Sequence, residues 1–207
     1  MIWLLWIAAA YLLGAVPFSY LVVRLVYGQD VRSVGSGNPG ATNTLRAAGP
    51  LPAATVLLLD VAKGAAPVWG AAALGAPPAA VGGAGLAATL GHVFPVYLRF
   101  RGGKGVATAL GVLGVLASRS TLAAVGLFVI VVAWKRYVSL GSLVLVVSVP
   151  LLMPLFSRLG WEGPVEGAVW LAAAAIALLV TWRHTGNIRR LLAGRERRLG
   201  DSAGAVS

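Results

Sequence analysis

Apolar stretches dominate the chain, falling near 2–23, 50–70, 77–98, 106–118, 120–134, 143–157 and 165–182. A helix needs about 20 apolar residues to cross a bilayer, and most of these runs approach or reach that length. They are rich in Ala, Leu and Val and lack period-2 alternation. A lipid environment admits only helices or closed barrels, so the pattern predicts an all-α polytopic membrane protein with about seven transmembrane helices. The runs at 106–118 and 120–134 are short, fitting either two spans at a thin place or one re-entrant pair, and two spans are the expectation. Gly82, Gly83, Gly85, Gly111 and Gly114 recur inside the runs, as close helix packing in membranes requires. No Lys or Arg precedes Arg24, so the first run lacks the basic start of a cleavable signal and reads as a span that stays. With no internal repeat and no linker, residues 1–207 read as a single domain.

Composition reinforces this picture. Hydrophobic residues make up 58% of the 207 and charged residues 11%, with a mean hydropathy of +0.85, which does not describe a water-soluble domain. The formal charge of +11 would suggest nucleic acid in a soluble protein. Here the basic residues lie between apolar runs, where anionic headgroups and substrates sit, so no nucleic-acid partner is expected. With seven spans, the connections near 24–49, 99–104 and 135–142 and the tail from 183 share one side, and they hold 14 of the 17 Lys and Arg. The opposite side holds Arg119 and Arg158, and Lys63 lies within a run. The positive-inside rule then puts the N-terminus outside and the C-terminus in the cytoplasm. Absence of cysteine excludes disulfides, a thiolate nucleophile and thiolate metal ligands.

Three polar segments interrupt the runs on the basic side. The first, Gly35-Ser36-Gly37-Asn38-Pro39-Gly40-Ala41-Thr42-Asn43-Thr44-Leu45-Arg46, can turn backbone N–H groups and side-chain donors toward an anion, with Arg46 adding a bidentate charge. An ordinary polar turn explains its composition equally well. The second runs from Gly91-His92-Val93-Phe94-Pro95 to Arg101-Gly102-Gly103-Lys104-Gly105-Val106-Ala107-Thr108. Glycines and a lysine at a helix start suit phosphate, although the spacing is not that of a Walker loop. A basic membrane anchor accounts for Arg99 and Arg101 but not for the glycines around Lys104. A short connection, Lys135 to Ser142, holds Ser139 and Ser142 and reads as an interfacial anchor or a substrate contact.

The third polar segment, Arg183-His184-Thr185-Gly186-Asn187-Ile188-Arg189-Arg190, leads to Gly194-Arg195-Glu196. His184 and Asn187 are three apart and share a helical face. A basic amphipathic tail on anionic lipid explains the arginines and leucines, but does not call for His184 or Asn187. Within the second run, Asp60 and Lys63 sit i,i+3. Ionisable groups at that depth cost a few kcal/mol each, so they form a structural pair or a proton relay. No His, Asp and Glu cluster has metal-ligand spacing.

Together the segments GSGNPGATN, GHVFPVYLRFRGGKGVAT and RHTGNIRRLLAGRE resemble the three signature loops of the bacterial acyl-phosphate:glycerol-3-phosphate acyltransferase family, in the same order and over nearly the whole chain. The resemblance implies an enzyme of the bacterial inner membrane with its site toward the cytoplasm. Such an enzyme transfers a fatty acyl group from acyl phosphate to the 1-hydroxyl of glycerol 3-phosphate, giving lysophosphatidic acid and phosphate in the first step of phospholipid synthesis. It implies activity as a monomer among membrane lipids, with no cofactor and no metal. Ser36 and Arg46 would then be important for activity, and Lys104 with Gly102, Gly103 and Gly105 would bind glycerol 3-phosphate. His184 and Asn187 would serve catalysis and Glu196 would be a structural acid. Gly35, Gly37, Asn38, Thr42, Asn43 and Ser142 complete the expected substrate-binding set, with Asp60 and Lys63 structural.

The chemistry suits these residue types. Two phosphorylated substrates bring several negative charges together, which Arg46, Lys104 and glycine N–H groups can hold. Acyl phosphate carries a good leaving group, so direct attack is expected, with His184 or a substrate phosphate oxygen taking the hydroxyl proton. Ser36 lies outside a G-x-S-x-G elbow and reads as a hydrogen-bond donor. The H-x-x-x-x-D motif of other glycerolipid acyltransferases is absent, since the fifth residues after His92 and His184 are Tyr97 and Arg189. A transporter for an organic phosphate is the alternative from another class, but transporters usually show repeats and midplane sites, whereas here the polar segments share one face.

Overall fold

A computed structural model describes residues 1–201, and among these the chain forms only helices and their connections. The chain divides into two compact units, Met1–Val112 and a second beginning at Leu113.

In the first unit the apolar run 2–23 is not one straight helix. It forms α1 (Ile2–Ala15) and α2 (Phe18–Tyr27), because Pro17 offers no N–H and drives Val16 out of the helical region, to φ −58 and ψ 118. A short helix, α3 (Ala41–Ala48), precedes α4 (Pro50–Ala73), and α5 (Pro78–Val93) follows. α1 packs on α5 at backbone distance. A Cβ on Gly14 would lie 2.1 Å from the Ala88 carbonyl oxygen, and one on Gly91 would lie 2.2 Å from that of Tyr11. Small residues thus allow the van der Waals contact that binds helices where no hydrophobic effect operates. Trp6 fills the side of this seam and donates its indole N–H to the Pro67 carbonyl at 2.9 Å. The next helix, α6 (Val106–Leu116), continues the theme, since a Cβ on Gly111 would lie 2.0 Å from the Val61 carbonyl oxygen.

The second unit is built on α7 (Ser118–Lys135), α8 (Val138–Arg158) and α9 (Gly167–Arg183), with the short α10 (Thr185–Leu192) after a 58° bend. α7 and α8 form a hairpin in which Gly141 makes room for Phe128 and Val132. Glu162 accepts hydrogen bonds from the Ser120 hydroxyl and the Arg119 N–H, satisfying donors that the start of α7 leaves open. Both units turn large apolar side chains outward, among them Leu4, Leu58 and Trp69 in the first and Leu122, Ile130 and Leu178 in the second, as lipid rather than water demands.

All seven expected runs become helices, but five are long and apolar enough to cross a membrane, or six if the bent pair α9 and α10 is one span. The run at 106–118 forms an 11-residue helix, about 16 Å long at 1.5 Å per residue, or roughly half of the hydrocarbon core. Its neighbour α7 reaches 18 residues and qualifies.

Candidate functional site

The first polar segment is organised by one side chain. Asn43 is buried on α3, where its amide nitrogen donates to the carbonyls of Val31 (2.8 Å) and Val34 (2.9 Å). Its amide oxygen accepts from the backbone N–H (2.9 Å) and hydroxyl (3.2 Å) of Ser36. Two donors and two lone pairs are the full capacity of an asparagine amide, so Asn43 acts on the shape of the loop. Gly35 takes a left-handed φ of 61°, and a Cβ there would lie 2.5 Å from Asn43 Oδ1 and 3.7 Å from Arg46 Cδ. Asn43 and Arg46 sit one turn apart and share a face, which brings Arg46 over Gly35. Ser36 and Thr42 are exposed and Asn38 is half-buried. Gly37 makes a second left-handed turn at φ 68°. Nearby, Asp30 and Arg32 form a surface ion pair at 2.7 Å, and the hydrogen bonds from Arg32 hold the Asp30 carboxyl below its ordinary value.

The second polar segment is tied to the end of α5. Gly102 and Gly103 donate their N–H groups to the carbonyls of Val93 and His92, each at 3.2 Å. A Cβ on Gly102 would meet the His92 carbonyl oxygen at 2.1 Å, and one on Gly103 would meet His92 Nε2 at 2.2 Å and the Pro39 carbonyl oxygen at 2.9 Å. These two glycines therefore pack closely on the end of α5, to which their N–H groups donate. The first turn of α6, whose N–H groups lack partners within their own helix, and the half-buried Lys104 just before it are groups of the kind that can hold an anion. Gly105, at φ 87°, provides the turn into that helix. Upstream, Arg99 and Phe100 both adopt left-handed backbone, at φ 51° and 62°. Such conformations cost about 1 kcal/mol or more each and persist only where surroundings hold them.

Under these loops lies the ion group anticipated at Asp60 and Lys63, with a third member. Lys63 Nζ is 2.7 Å from Asp60 Oδ1 and donates to the Val16 carbonyl at 2.8 Å, an oxygen exposed by the break between α1 and α2. His92 Nδ1 stands 3.7 Å from the same Asp60 oxygen. All three side chains are buried. They line a small, narrow pocket together with Phe18, Ser19 and Gly103.

In the second unit His184 caps the bend into α10 and is 2% exposed. Its Nδ1 lies 2.8 Å from the Val180 carbonyl oxygen. A carbonyl only accepts, so Nδ1 carries the proton and the lone pair of the neutral ring is on Nε2. Asn187 is also buried and donates to Glu196, which accepts further from the Ser139 hydroxyl (2.9 Å) and from Arg190 Nε (2.7 Å). Burial raises the pKa of Glu196, but the hydrogen bonds from Asn187, Ser139 and Arg190 outweigh it and hold the carboxyl below its ordinary value. An ionised carboxylate only accepts, so Asn187 must turn its NH₂ to Glu196 and its carbonyl oxygen elsewhere. Ser142 is buried and donates back to the Val138 carbonyl at 2.8 Å.

Sequence reasoning missed His92 as a partner of Asp60 and Ser139 as a partner of Glu196. A signal for His92 exists, since it closes one apolar run as Asp60 interrupts another. It also missed the 2.8 Å link between the buried hydroxyls of Ser19 and Thr44, for which composition offers none.

Comparison with known proteins decides the family. The family model for glycerol-3-phosphate acyltransferase matches residues 4–194. The chain belongs to the glycerol-3-phosphate acyltransferase family. Members from Halalkalibacterium halodurans (45% identical, over 96% of this chain and 95% of the relative) and Shouchella clausii (47%, over 92% of each) carry that family's name. A crystal structure described as PlsY (YgiH), an integral membrane glycerol 3-phosphate acyltransferase, in its glycerol 3-phosphate form, superposes with a TM-score of 0.87 at 39% identity. It covers 97% of this chain and 96% of that one. Its lysophosphatidic acid form gives a TM-score of 0.84 at 37% identity. The resemblance carried by the three loops is borne out at the level of this family, and the chain is an all-helical, multi-pass integral membrane protein.

Proposed function

We propose that this member of the glycerol-3-phosphate acyltransferase family acylates the 1-hydroxyl of glycerol 3-phosphate with acyl phosphate as donor, releasing lysophosphatidic acid and phosphate. The observation that carries this reading is the 39% identity, over 97% of the chain, to an enzyme whose glycerol 3-phosphate form is solved. In this reading residues 1–207 act as one domain and one monomer in the bacterial inner membrane, N-terminus outside, the polar loops facing the cytoplasm, which requires the short α6 to complete a crossing where the bilayer is locally thin. The charge asymmetry of the connections supports that orientation.

Arg46, Lys104 and the first turn of α6 bind phosphate by charge-assisted hydrogen bonds. Gly102 and Gly103 contribute through the packing that sets this loop, and Asn43 through the loop that presents Ser36 and Arg46. The glycerol hydroxyl oxygen attacks the carbonyl carbon of acyl phosphate, the bond from that carbon to the phosphate oxygen breaks, and phosphate leaves. The hydroxyl proton passes to His184 Nε2 or to a phosphate oxygen, and Asn187, held by Glu196, offers an acceptor for the same hydroxyl. Ser36 donates to substrate phosphate once its one hydroxyl proton turns from the Asn43 amide oxygen that accepts it in the free protein. A serine nucleophile needs a base within reach, and its hydroxyl partner here is the Asn43 amide oxygen, which cannot take a proton.

The test is purified protein in detergent, given glycerol 3-phosphate and acyl phosphate, acyl-CoA or acyl carrier protein side by side. Lysophosphatidic acid should form from acyl phosphate alone, with no membrane or gradient. Product from another donor and none from acyl phosphate overturns the donor. Gradient-driven uptake of glycerol 3-phosphate into vesicles without any product returns the transporter.

A further inference from the structure

We propose that His92 is a positioning residue for substrate phosphate, held by the membrane-embedded Asp60 and Lys63 and in turn seating the Gly102–Lys104 loop. The inference deepens the reading of that loop as a phosphate site and rests on it.

The imidazole lies between two features that would otherwise be unrelated. On one side Nδ1 faces Asp60 Oδ1 at 3.7 Å, and that oxygen receives no aligned hydrogen bond although Lys63 is 2.7 Å away. The Nδ1 edge of the ring is the one turned toward it. On the other side Nε2 lies against the Cα of Gly103, so closely that a single added carbon would fall 2.2 Å from it. The His92 carbonyl accepts the Gly103 N–H, so backbone and side chain of one residue grip the same glycine. Gly103 also abuts the Pro39 carbonyl of the first loop, which makes this grip the junction of the two polar loops of the unit. Lys104 is the next residue in the chain. A loop with two consecutive left-handed non-glycine residues, Arg99 and Phe100, relaxes unless its far end is fixed. Asp60 and Lys63 lie on α4, which adjoins α5 and, through Val16, the break between α1 and α2. The ring therefore refers the position of Lys104 to three helices.

The test compares His92→Gln and His92→Asn with wild type and with Lys104→Ala. The terminal amide of glutamine reaches the Nε2 position, whereas that of asparagine reaches only Nδ1. We expect KM for glycerol 3-phosphate to rise about tenfold or more in His92→Asn and less in His92→Gln, with kcat within about threefold of wild type and KM for acyl phosphate little changed. Lower thermal stability with kcat falling and KM constant would overturn the inference and make His92 a core residue. Loss of the folded protein in both variants would do the same. If Lys104→Ala raises KM and neither His92 variant does, the phosphate site stands and the inference falls. If Lys104→Ala leaves KM unchanged, the underlying reading of the loop fails first.

Discussion

Each unit holds a carboxylate in a cluster of side-chain partners, Asp60 in the first and Glu196 in the second, and the two are handled differently. Asp60 is 1% exposed within a spanning helix and has only cationic or ionisable partners, Lys63 and His92. Glu196 lies in the tail beyond the last helix and has one exposed cation, Arg190, plus the neutral donors Asn187 and Ser139. A charge surrounded by apolar helices must be neutralised nearby, because hydrogen-bond dipoles alone do not repay its desolvation. A charge at the edge is partly solvated, so neutral donors suffice and the acid is free to orient them. The deep pair therefore holds helices, and the shallow acid holds a side chain.

The sharpest way to break this contrast is to remove one partner of the deep pair. Lys63→Met leaves Asp60 buried without its ammonium and the Val16 carbonyl with the Phe18 N–H but not the stronger charged donor. The expected loss is about 3–5 kcal/mol, read as a large fall in thermal midpoint in detergent. The double variant Asp60→Asn with Lys63→Met should recover much of that loss, since replacing a whole buried pair is often nearly neutral. A single variant as stable as wild type would show that the pair is not structural.

That prediction also marks what could be read from the residues. Asp60 and Lys63 stood out because apolar runs make any charge conspicuous, and the i,i+3 spacing announced their pairing. The helices were legible for the same reason. The break at Pro17 is marked by the proline itself, and the shortness of α6 by the short apolar run at 106–118. The site was harder. Loop glycines look alike in a sequence whether they cradle an anion or pack on a helix, and only the approach of Gly102 and Gly103 to His92 separates the two. Asn43 likewise reads as a ligand-binding amide until its four hydrogen bonds are counted within the loop. Residue pairs such as Ser139 with Glu196, 57 apart in the chain, carry no local pattern at all.

A smaller effect is expected where the shallow acid is weakened. Glu196→Gln keeps the shape and loses the charge, so the bonds from Arg190, Ser139 and Asn187 become neutral or misdirected, at about 1–3 kcal/mol in total. Because Asn187 can then turn its amide over, kcat should fall more than stability does. Equal kcat with lower stability would confine Glu196 to holding the tail.

The smallest effect is a pH dependence confined to the tail. The folded pKa of Glu196 lies below the ordinary carboxyl value of 4.5, so the unfolded tail binds a proton more readily than the folded one. Stability from this group is therefore complete above about pH 4.5 and declines as pH falls through the lowered folded value. Hydrogen exchange of residues 193–199 should be constant from pH 8 to about 5, after correction for intrinsic rates, and should quicken only in more acid solution. Asp30 is also held low by Arg32 and titrates in the same region, but it lies in the first unit, so a local readout keeps the two apart. In Glu196→Gln the acid step in the tail should vanish while that near Asp30 remains. An acid step that persists in the tail of Glu196→Gln would mean that the tail is not held through its carboxylate.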